Sequence, residues 1–446
     1  MKNRVNMLEG PITGNVIKIA LPLAIISILQ QLFNAADVAV VGKFASSDAL
    51  AAVGANTPII NMFLTFFTGL ATGATVTIAS LIGAGKQEKV SEAVHTVYTL
   101  SIIGGIFVIV VGELIARPLL ELTDTPAEIL DQATLYLRIY MVALMFAVVY
   151  NFNSAILRSK GDTKRPLYCL FASGIVNILL NLFFVIVCGL GVAGVAIATL
   201  ISNIICCGAT VYLLMKETDD FKLKPTGLCL KKEPLLYTLR IGLPAGVQGM
   251  LFSISNIVIQ AAINSFGADC IAGNTAAMNF EFFAYFIVSA FAQTATTYYS
   301  QNYSAGKYDR CDSVYRICLA LGCGVSLAAS CVFFFGHDFW LGLFTSDPAD
   351  LPFAMDRMLI VVLMEFLTGF NEMAAAGCRA MGVSLRPTII SICGTCIFRI
   401  IWVKTVFAVH STVITLLMAY PVSWVLLAVA MIYLYRHVRA QKFVAT

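Results

Sequence analysis

Charge is what this sequence has least of. Of its 446 residues only 12% are Asp, Glu, Lys or Arg, against 59% hydrophobic, where soluble domains carry about 25% charged residues. A mean hydropathy of +0.85 leaves a soluble fold no polar surface, which excludes that class. The four histidines, His95, His337, His410 and His437, are scattered over loops and helix ends, and the only adjacent acids, Asp219 and Asp220, fall in a polar stretch. No catalytic cluster for a membrane-embedded enzyme follows from them, and no cofactor is expected. The absence of a G-x-x-x-x-G-K-[ST] segment argues against ATP-driven transport. Short basic loops without interleaved aromatics, at a net charge of +4, argue against a nucleic-acid partner. The first apolar segment, 16–42, is too long for a signal-peptide core and no A-x-A-like cleavage site follows it, so it reads as a retained helix.

What the chain does have is long apolar runs, such as TLSIIGGIFVIVVG (99–112) and GIVNILLNLFFVIVCG (175–190). These extend to roughly 20 residues or more, the length that crosses a bilayer. Twelve transmembrane helices are expected, near 16–42, 50–82, 93–116, 134–157, 166–188, 190–215, 238–265, 271–303, 313–336, 354–379, 387–408 and 412–435. Loops on the side of the N-terminus carry 23 of the 29 Lys and Arg residues, Lys2 and Arg4 among them. The opposite loops hold Lys43, Arg117, Arg138, Arg357 and Lys404, with acids such as Glu121, Asp124, Glu128 and Asp131. The positive-inside rule then places both termini in the cytoplasm. The stretch KETDDFKLKPTGLCLKKEPLLY (216–237) reads as a cytoplasmic linker between an N-terminal lobe, 1–215, and a C-terminal lobe, 238–446.

The two lobes repeat each other. KIALP (18–22) matches RIGLP (240–244), GAGK (83–86) matches SAGK (304–307), and ILRSKGDTKRP (156–166) matches GCRAMGVSLRP (377–387). Each pair is offset by 221 or 222 residues. Six helices per repeat give both halves the same membrane orientation, an arrangement in which transporters hold substrate between the halves and rock them for alternating access. Pro22, Pro58 and Pro244 lie inside apolar spans, where each removes a backbone hydrogen bond and permits a kink.

Five ionisable residues fall within these helices: Asp37, Glu281, Glu365, Glu372 and Arg399. A charge at the bilayer centre costs on the order of 3 kcal/mol on insertion scales, so such residues face a cavity or a partner. At about 1.5 Å per residue, Asp37 lies about 9 Å below the outer face, and Asn181 and Thr199 about 12 Å below it. Asn177 lies one turn deeper than Asn181 on the same helix face. A carboxylate, two amides and a hydroxyl from three helices thus reach similar depth. Oxygen ligands of this kind suit Na⁺, and a desolvated aspartate suits H⁺; inter-helix hydrogen bonding for packing is the alternative for the amides and the hydroxyl. Arg399 has Glu281 and Glu365 as potential ion-pair partners. If all are ionised, the five sum to −3, and an acidic, water-filled cavity attracts cations.

The segment QQLFNAADVAVVGKF (30–44) resembles the first-helix signature of multidrug and toxic compound extrusion (MATE) transporters, prokaryotic branch, with its acid at Asp37. GAGK (83–86), RSKGDTKRP (158–166), NILLN (177–181), GVAGVAIAT (191–199), RAMGVSLRP (379–387) and YPVSW (420–424) are similar to the same family, over nearly the whole chain. The resemblance implies an all-α membrane protein whose twelve helices form two homologous six-helix lobes, V-shaped around a central cavity. It also implies efflux of small, mostly cationic organic compounds by antiport with H⁺ or Na⁺. Asp37, Asn177, Asn181 and Thr199 match the family's amino-lobe cation site, which is the expected place for any Na⁺. Asn181 stands where the pattern often has Asp, which removes one carboxylate and favours proton coupling through Asp37. The stretch PAGVQGMLFSISN (244–256) lacks the acid of the branch with a carboxy-lobe Na⁺ site. Gln30 and Asn34 join Glu281, Glu365, Glu372 and Arg399 as candidates for lining the substrate cavity. A monomer in the lipids of a bacterial inner membrane is expected. A flippase of lipid-linked sugars, which needs a cationic cavity for pyrophosphate, is the alternative.

Overall fold

A computed structural model describes residues 5–123, 125–344 and 347–444; Lys2, Arg4 and Asp124 of the charge count lie outside them. Twelve helical spans follow one another: α1 (Ile12–Phe44), α2 (Ser47–Gly83), α3 (Gln87–Leu122), α4 (Ala127–Ser159), α5 (Lys164–Val187), α6 (Gly191–Met215), α7 (Lys232–Asn264), α8 (Ala268–Ser304), α9 (Tyr308–Phe335), α10 (351–380), α11 (Leu385–Phe407) and α12 (Val413–Phe443). A short helix, His337–Leu341, precedes α10. There is no strand among the described residues, and the spans other than α10 are each long and apolar enough to cross a membrane. The protein is therefore an all-α, multi-pass membrane protein.

Several helices outrun the apolar stretches that announce them. α3 begins at Gln87 instead of 93, α4 at Ala127 instead of 134 and α7 at Lys232 instead of 238. Hydropathy marks only the part of a helix that needs hydrocarbon; charged turns at its end continue the same backbone bonds into the interface. The repeat is visible in the turns that end helices. Gly85 and Gly306, and likewise Gly161 and Gly382, all take positive φ, from 69° to 85°. Residues with a Cβ disfavour that left-handed conformation, so matched glycines stop matched helices in both halves.

α10 departs from the continuous helix expected over 354–379. Leu351–Arg357 is followed by a widened π turn, Met358–Val362, then a tight turn over Glu365–Leu367, and only then by the regular helix Thr368–Ala380. A polar side chain bonds the backbone within the turn. The Thr368 hydroxyl donates to the Glu365 carbonyl at 2.7 Å, a side-chain bond that competes with the helical ladder.

Packing divides the chain into two compact units, one of residues 5–6 and 25–246, the other of residues 7–24 and 247–444. In the first unit α4 is central, with Phe152, Ala155, Ile156 and Leu157 fully buried. Asn56 of α2 donates across to the Ala133 carbonyl of α4 at 3.0 Å, and Gly105 and Gly112 of α3 lie against Met145 and Met141 with no room for a Cβ.

The linker, 216–231, belongs to the first unit. Phe221 and Leu223 are buried in its core. Glu217 takes Lys160 at 2.7 Å and Arg165 at 2.6 Å, and the Lys160 ammonium sits 4.7 Å from the centre of the Phe221 ring. The Lys224 amide donates to His95 Nε2 at 3.0 Å, while His95 Nδ1 bonds the Ser91 carbonyl at 2.7 Å. Since Nε2 accepts and a carbonyl can only accept, the ring proton is on Nδ1. Burial alone would raise Glu217, but the hydrogen bonds from Lys160 and Arg165 and their charges outweigh it and hold the carboxyl below the usual glutamate range. A depressed carboxyl stabilises the fold above its ordinary value, about 4.3, and that stabilisation is lost as pH falls through the folded value. Protection of the amides over 216–224, with their intrinsic exchange rates divided out, is accordingly expected to fall as pH drops below the ordinary glutamate range. Glu217→Gln should exchange quickly at neutral pH and lose this acid transition.

Candidate functional site

In the first unit the polar residues of three helices converge. Asp37 on α1, Asn177 and Asn181 on α5 and Thr199 on α6 are all buried, Asn181 completely. Asn181 Nδ2 donates to Asp37 Oδ1 at 2.5 Å and to Asn177 Oδ1 at 3.2 Å. Asn177 Nδ2 reaches Thr199 Oγ1 at 3.5 Å. Thr199 Oγ1 lies 3.4 Å from Asp37 Oδ2 and 3.0 Å from the Val195 carbonyl. Asn181 Oδ1 makes no hydrogen bond. The structure thus brings the four expected residues together in one ring.

The neighbouring packing sets this geometry. Asn177 and Asn181 are one helical turn apart and share a face. Phe33 stands one turn before Asp37 and lies against Gly174 on α5, where an added Cβ would fall about 2 Å from the ring. The missing side chain at 174 is what lets α1 approach α5. Tyr136 and Tyr140 of α4 stand within electrostatic reach of Asp37. Sequence reasoning missed them; the spacing YLRIY, which puts two phenols one turn apart, was the available signal.

Counting hydrogens narrows the chemistry. Thr199 has one hydroxyl hydrogen and two acceptors in reach. Given to the nearer one, the Val195 carbonyl, it leaves Oγ1 with lone pairs facing Asp37 Oδ2. When Thr199 gives its hydrogen to Asp37 Oδ2 the carboxyl is the acceptor, and when it gives it to the Val195 carbonyl Oγ1 is left able to accept one from a protonated Asp37. The same ring offers Na⁺ one carboxylate, the hydroxyl and the unbonded Asn181 Oδ1, with the Asn181 amide nitrogen turned toward the carboxylate.

The second unit does not duplicate this ring. At the repeat offsets, Asp37 corresponds to Ile259, Asn177 to Phe398 and Asn181 to Trp402, the last two with ring centres 5.7 Å apart. Its charges lie elsewhere. Arg357, expected in an outer loop, is 2% exposed within α10. It donates to Glu281 Oε2 at 2.6 and 2.9 Å and to Asn274 Oδ1 at 2.5 Å. Glu281 was an expected partner of Arg399; Arg357 takes it instead. The guanidinium of Arg399 rests 4.2 Å from the centre of the Tyr420 ring, with one long bond, 3.4 Å, to Asn256. Glu365 is 2% exposed at the break in α10 and has no cation within ion-pair distance among the described residues. Glu372, two turns further along α10, is half-buried near Tyr285. Gln30 and Asn34 are exposed on α1, apart from the Asp37 ring. Arg357, buried beside Glu281, offsets the charge of that acid within the second unit.

Twelve helices in two repeated sets, with a buried carboxyl in a hydrogen-bonded ring, define a multi-pass membrane transporter rather than an enzyme. The chain belongs to the MatE family, which it matches over residues 22–183 and 244–403. It is 27% identical over 379 residues to "Probable multidrug resistance protein YoeA" of Bacillus subtilis, covering 83% of this chain and 82% of that one. It is 22% identical over 434 residues to "Multidrug export protein MepA" of Staphylococcus aureus, covering 96% and 95%. Among solved structures, the outward-facing conformation of a multidrug resistance MATE family transporter superposes with a TM-score of 0.91 over 99% of both chains at 21% identity. A MATE transporter in the straight conformation does so with a TM-score of 0.90, also over 99% of both chains, at 22% identity. The two-lobe, twelve-helix MATE fold expected from the motifs is the fold observed.

Proposed function

We propose that this chain is a multidrug efflux transporter that exports small organic cations in exchange for protons, with Asp37 as the coupling carboxyl. The observation that carries the coupling ion is the burial of Asp37 with hydrogen bonds from the neutral Asn181 and Thr199 alone and no cation in ion-pair distance among the described residues, an environment that favours a carboxyl carrying a proton. Loss of that proton forces the Thr199 hydroxyl to choose between Val195 and a carboxylate, so protonation is tied to how α1 and α6 hold each other. Cationic cargo is supported by the excess of acids over bases inside the membrane. Export is supported by the names of the relatives. The chain works as a monomer in a bacterial inner membrane with both termini cytoplasmic, an orientation the distribution of Lys and Arg supports.

The test is reconstitution into vesicles with an imposed pH difference and a fluorescent organic cation as cargo. Cargo accumulation that follows the pH difference and survives removal of sodium is the expected result. Accumulation that needs sodium and ignores the pH difference would transfer the site to Na⁺. No movement of any cation, with anionic or neutral cargo moved instead, would overturn the cargo class.

A further inference from the structure

The second unit holds two buried groups of opposite charge that do not meet. Glu365 Oε2 makes no hydrogen bond, and neither do Nε and Nη2 of Arg399. The two residues are 2% and 1% exposed, yet each acts electrostatically on the other. A buried charge without a partner costs several kcal/mol, so an ionised Glu365 standing apart from Arg399 is an unfavourable arrangement.

The hydrogen count resolves it. Thr368 Oγ1 lies 2.7 Å from the Glu365 carbonyl and 3.2 Å from Glu365 Oε1. Its single hydrogen is shared between the two acceptors and Oε2 receives none, so an ionised Glu365 would have one neutral donor and no cation beside it, an arrangement that a proton on the carboxyl relieves. Arg399 meanwhile is held on the Tyr420 ring, a cation–π contact that satisfies its charge without a carboxylate. The remaining groups around Glu365 are already committed or neutral. From α8 come Glu281, bonded to Arg357, and Tyr285; from α10 Arg357 itself; from α12 Tyr420; and α9 presents Cys323 against Gly369.

We infer that Glu365 is a second proton-binding carboxyl of this chain, and that Arg399 is the cation that replaces the proton when it leaves. With the proton on Glu365, the guanidinium rests on Tyr420, as observed. When the proton passes to solvent, Arg399 leaves the ring and pairs with the carboxylate, so that the unit changes by one proton and the ionised carboxylate is not left alone. The break in α10 gives this exchange its freedom, since Glu365 stands in a turn rather than in a rigid helix. Nothing in it depends on the cargo or on Asp37.

Infrared titration of the purified full-length protein tests it without transport, because protonated and ionised carboxyls absorb separately. The wild type is expected to show two buried protonated carboxyl components at acid pH, both lost as pH rises. Glu365→Gln should delete one and leave the Asp37 component; Asp37→Asn should do the reverse. In Arg399→Met the Glu365 component should persist at alkaline pH where the wild type has lost it, because the replacing cation is gone. Glu365→Asp, which keeps the acid, should move that component rather than delete it, and serves if Glu365→Gln does not fold. Unchanged carboxyl components in Glu365→Gln would overturn the proton site. An Arg399→Met titration identical to the wild type would overturn the exchange.

Discussion

Asp37→Asn is expected to reduce energised export to the level of cells without the transporter, while the folded protein accumulates normally. Asparagine has nearly the shape of the protonated acid, and its amide can hydrogen-bond Thr199 Oγ1 (3.4 Å from Asp37 Oδ2 in the wild type). It therefore fixes one state of the ring instead of breaking it. The magnitude follows from the exchange. One proton for one monovalent cation moves no net charge, so the pH difference alone drives it. Each pH unit is worth about 1.4 kcal/mol, or a tenfold cargo gradient. A variant that cannot release a proton loses that whole gradient, whatever its affinity for cargo. Uptake assays in pump-deficient cells, with protein level and thermal stability measured alongside, check both halves of the expectation. Export by Asp37→Asn that still follows the pH difference would remove this residue from coupling. If Glu365 also carries a proton, two protons per monovalent cation would move charge, and the membrane potential would add about 2.3 kcal/mol per 100 mV.

The first-unit site was legible because polarity is conspicuous in an apolar run. Asp37, Asn177, Asn181 and Thr199 each interrupt a span where such residues are expensive, and counting residues from the span ends gave their common depth. Depth does not say which way a side chain turns, nor which helices are neighbours. That is why Tyr136 and Tyr140 were not singled out and why Glu281 was offered to Arg399 beside Glu365. Arg357 was hidden for a different reason. It follows a string of acids, Asp347, Asp350 and Asp356, and lies close to a loop, so a charge count assigns it to the water side. Only the structure shows it reaching Glu281 from inside α10. The break in α10 was equally invisible, since no proline or glycine marks Leu363–Leu367. The fold itself was the most legible part. Long apolar runs fix the number of spans, and the 221-residue offset fixes their repetition.

Arg357→Met is expected to destabilise the second unit strongly. The guanidinium is the donor to Glu281 on two nitrogens and to Asn274 on a third, and it lies 5.3 Å from the Tyr420 ring centre. Methionine fills most of its volume but leaves a nearly buried carboxylate, 13% exposed, with no counter-charge. Breaking a buried pair by removing one partner costs roughly 3–5 kcal/mol. The double variant Arg357→Met/Glu281→Gln should recover most of the loss, because replacing both members with neutral groups removes the uncompensated charge as well as the attraction. Glu281→Gln alone should cost less than Arg357→Met, since the arginine keeps Asn274 and the tyrosine ring. Thermal unfolding in detergent for the wild type, both singles and the double closes the cycle and isolates the coupling between the two side chains. Additive losses would mean that the pair contributes no coupling of its own and that the arginine matters only through Asn274 and Tyr420. A strong coupling, with recovery in the double, would fix Arg357 as the permanent partner of Glu281 and leave Arg399 as the guanidinium available to Glu365.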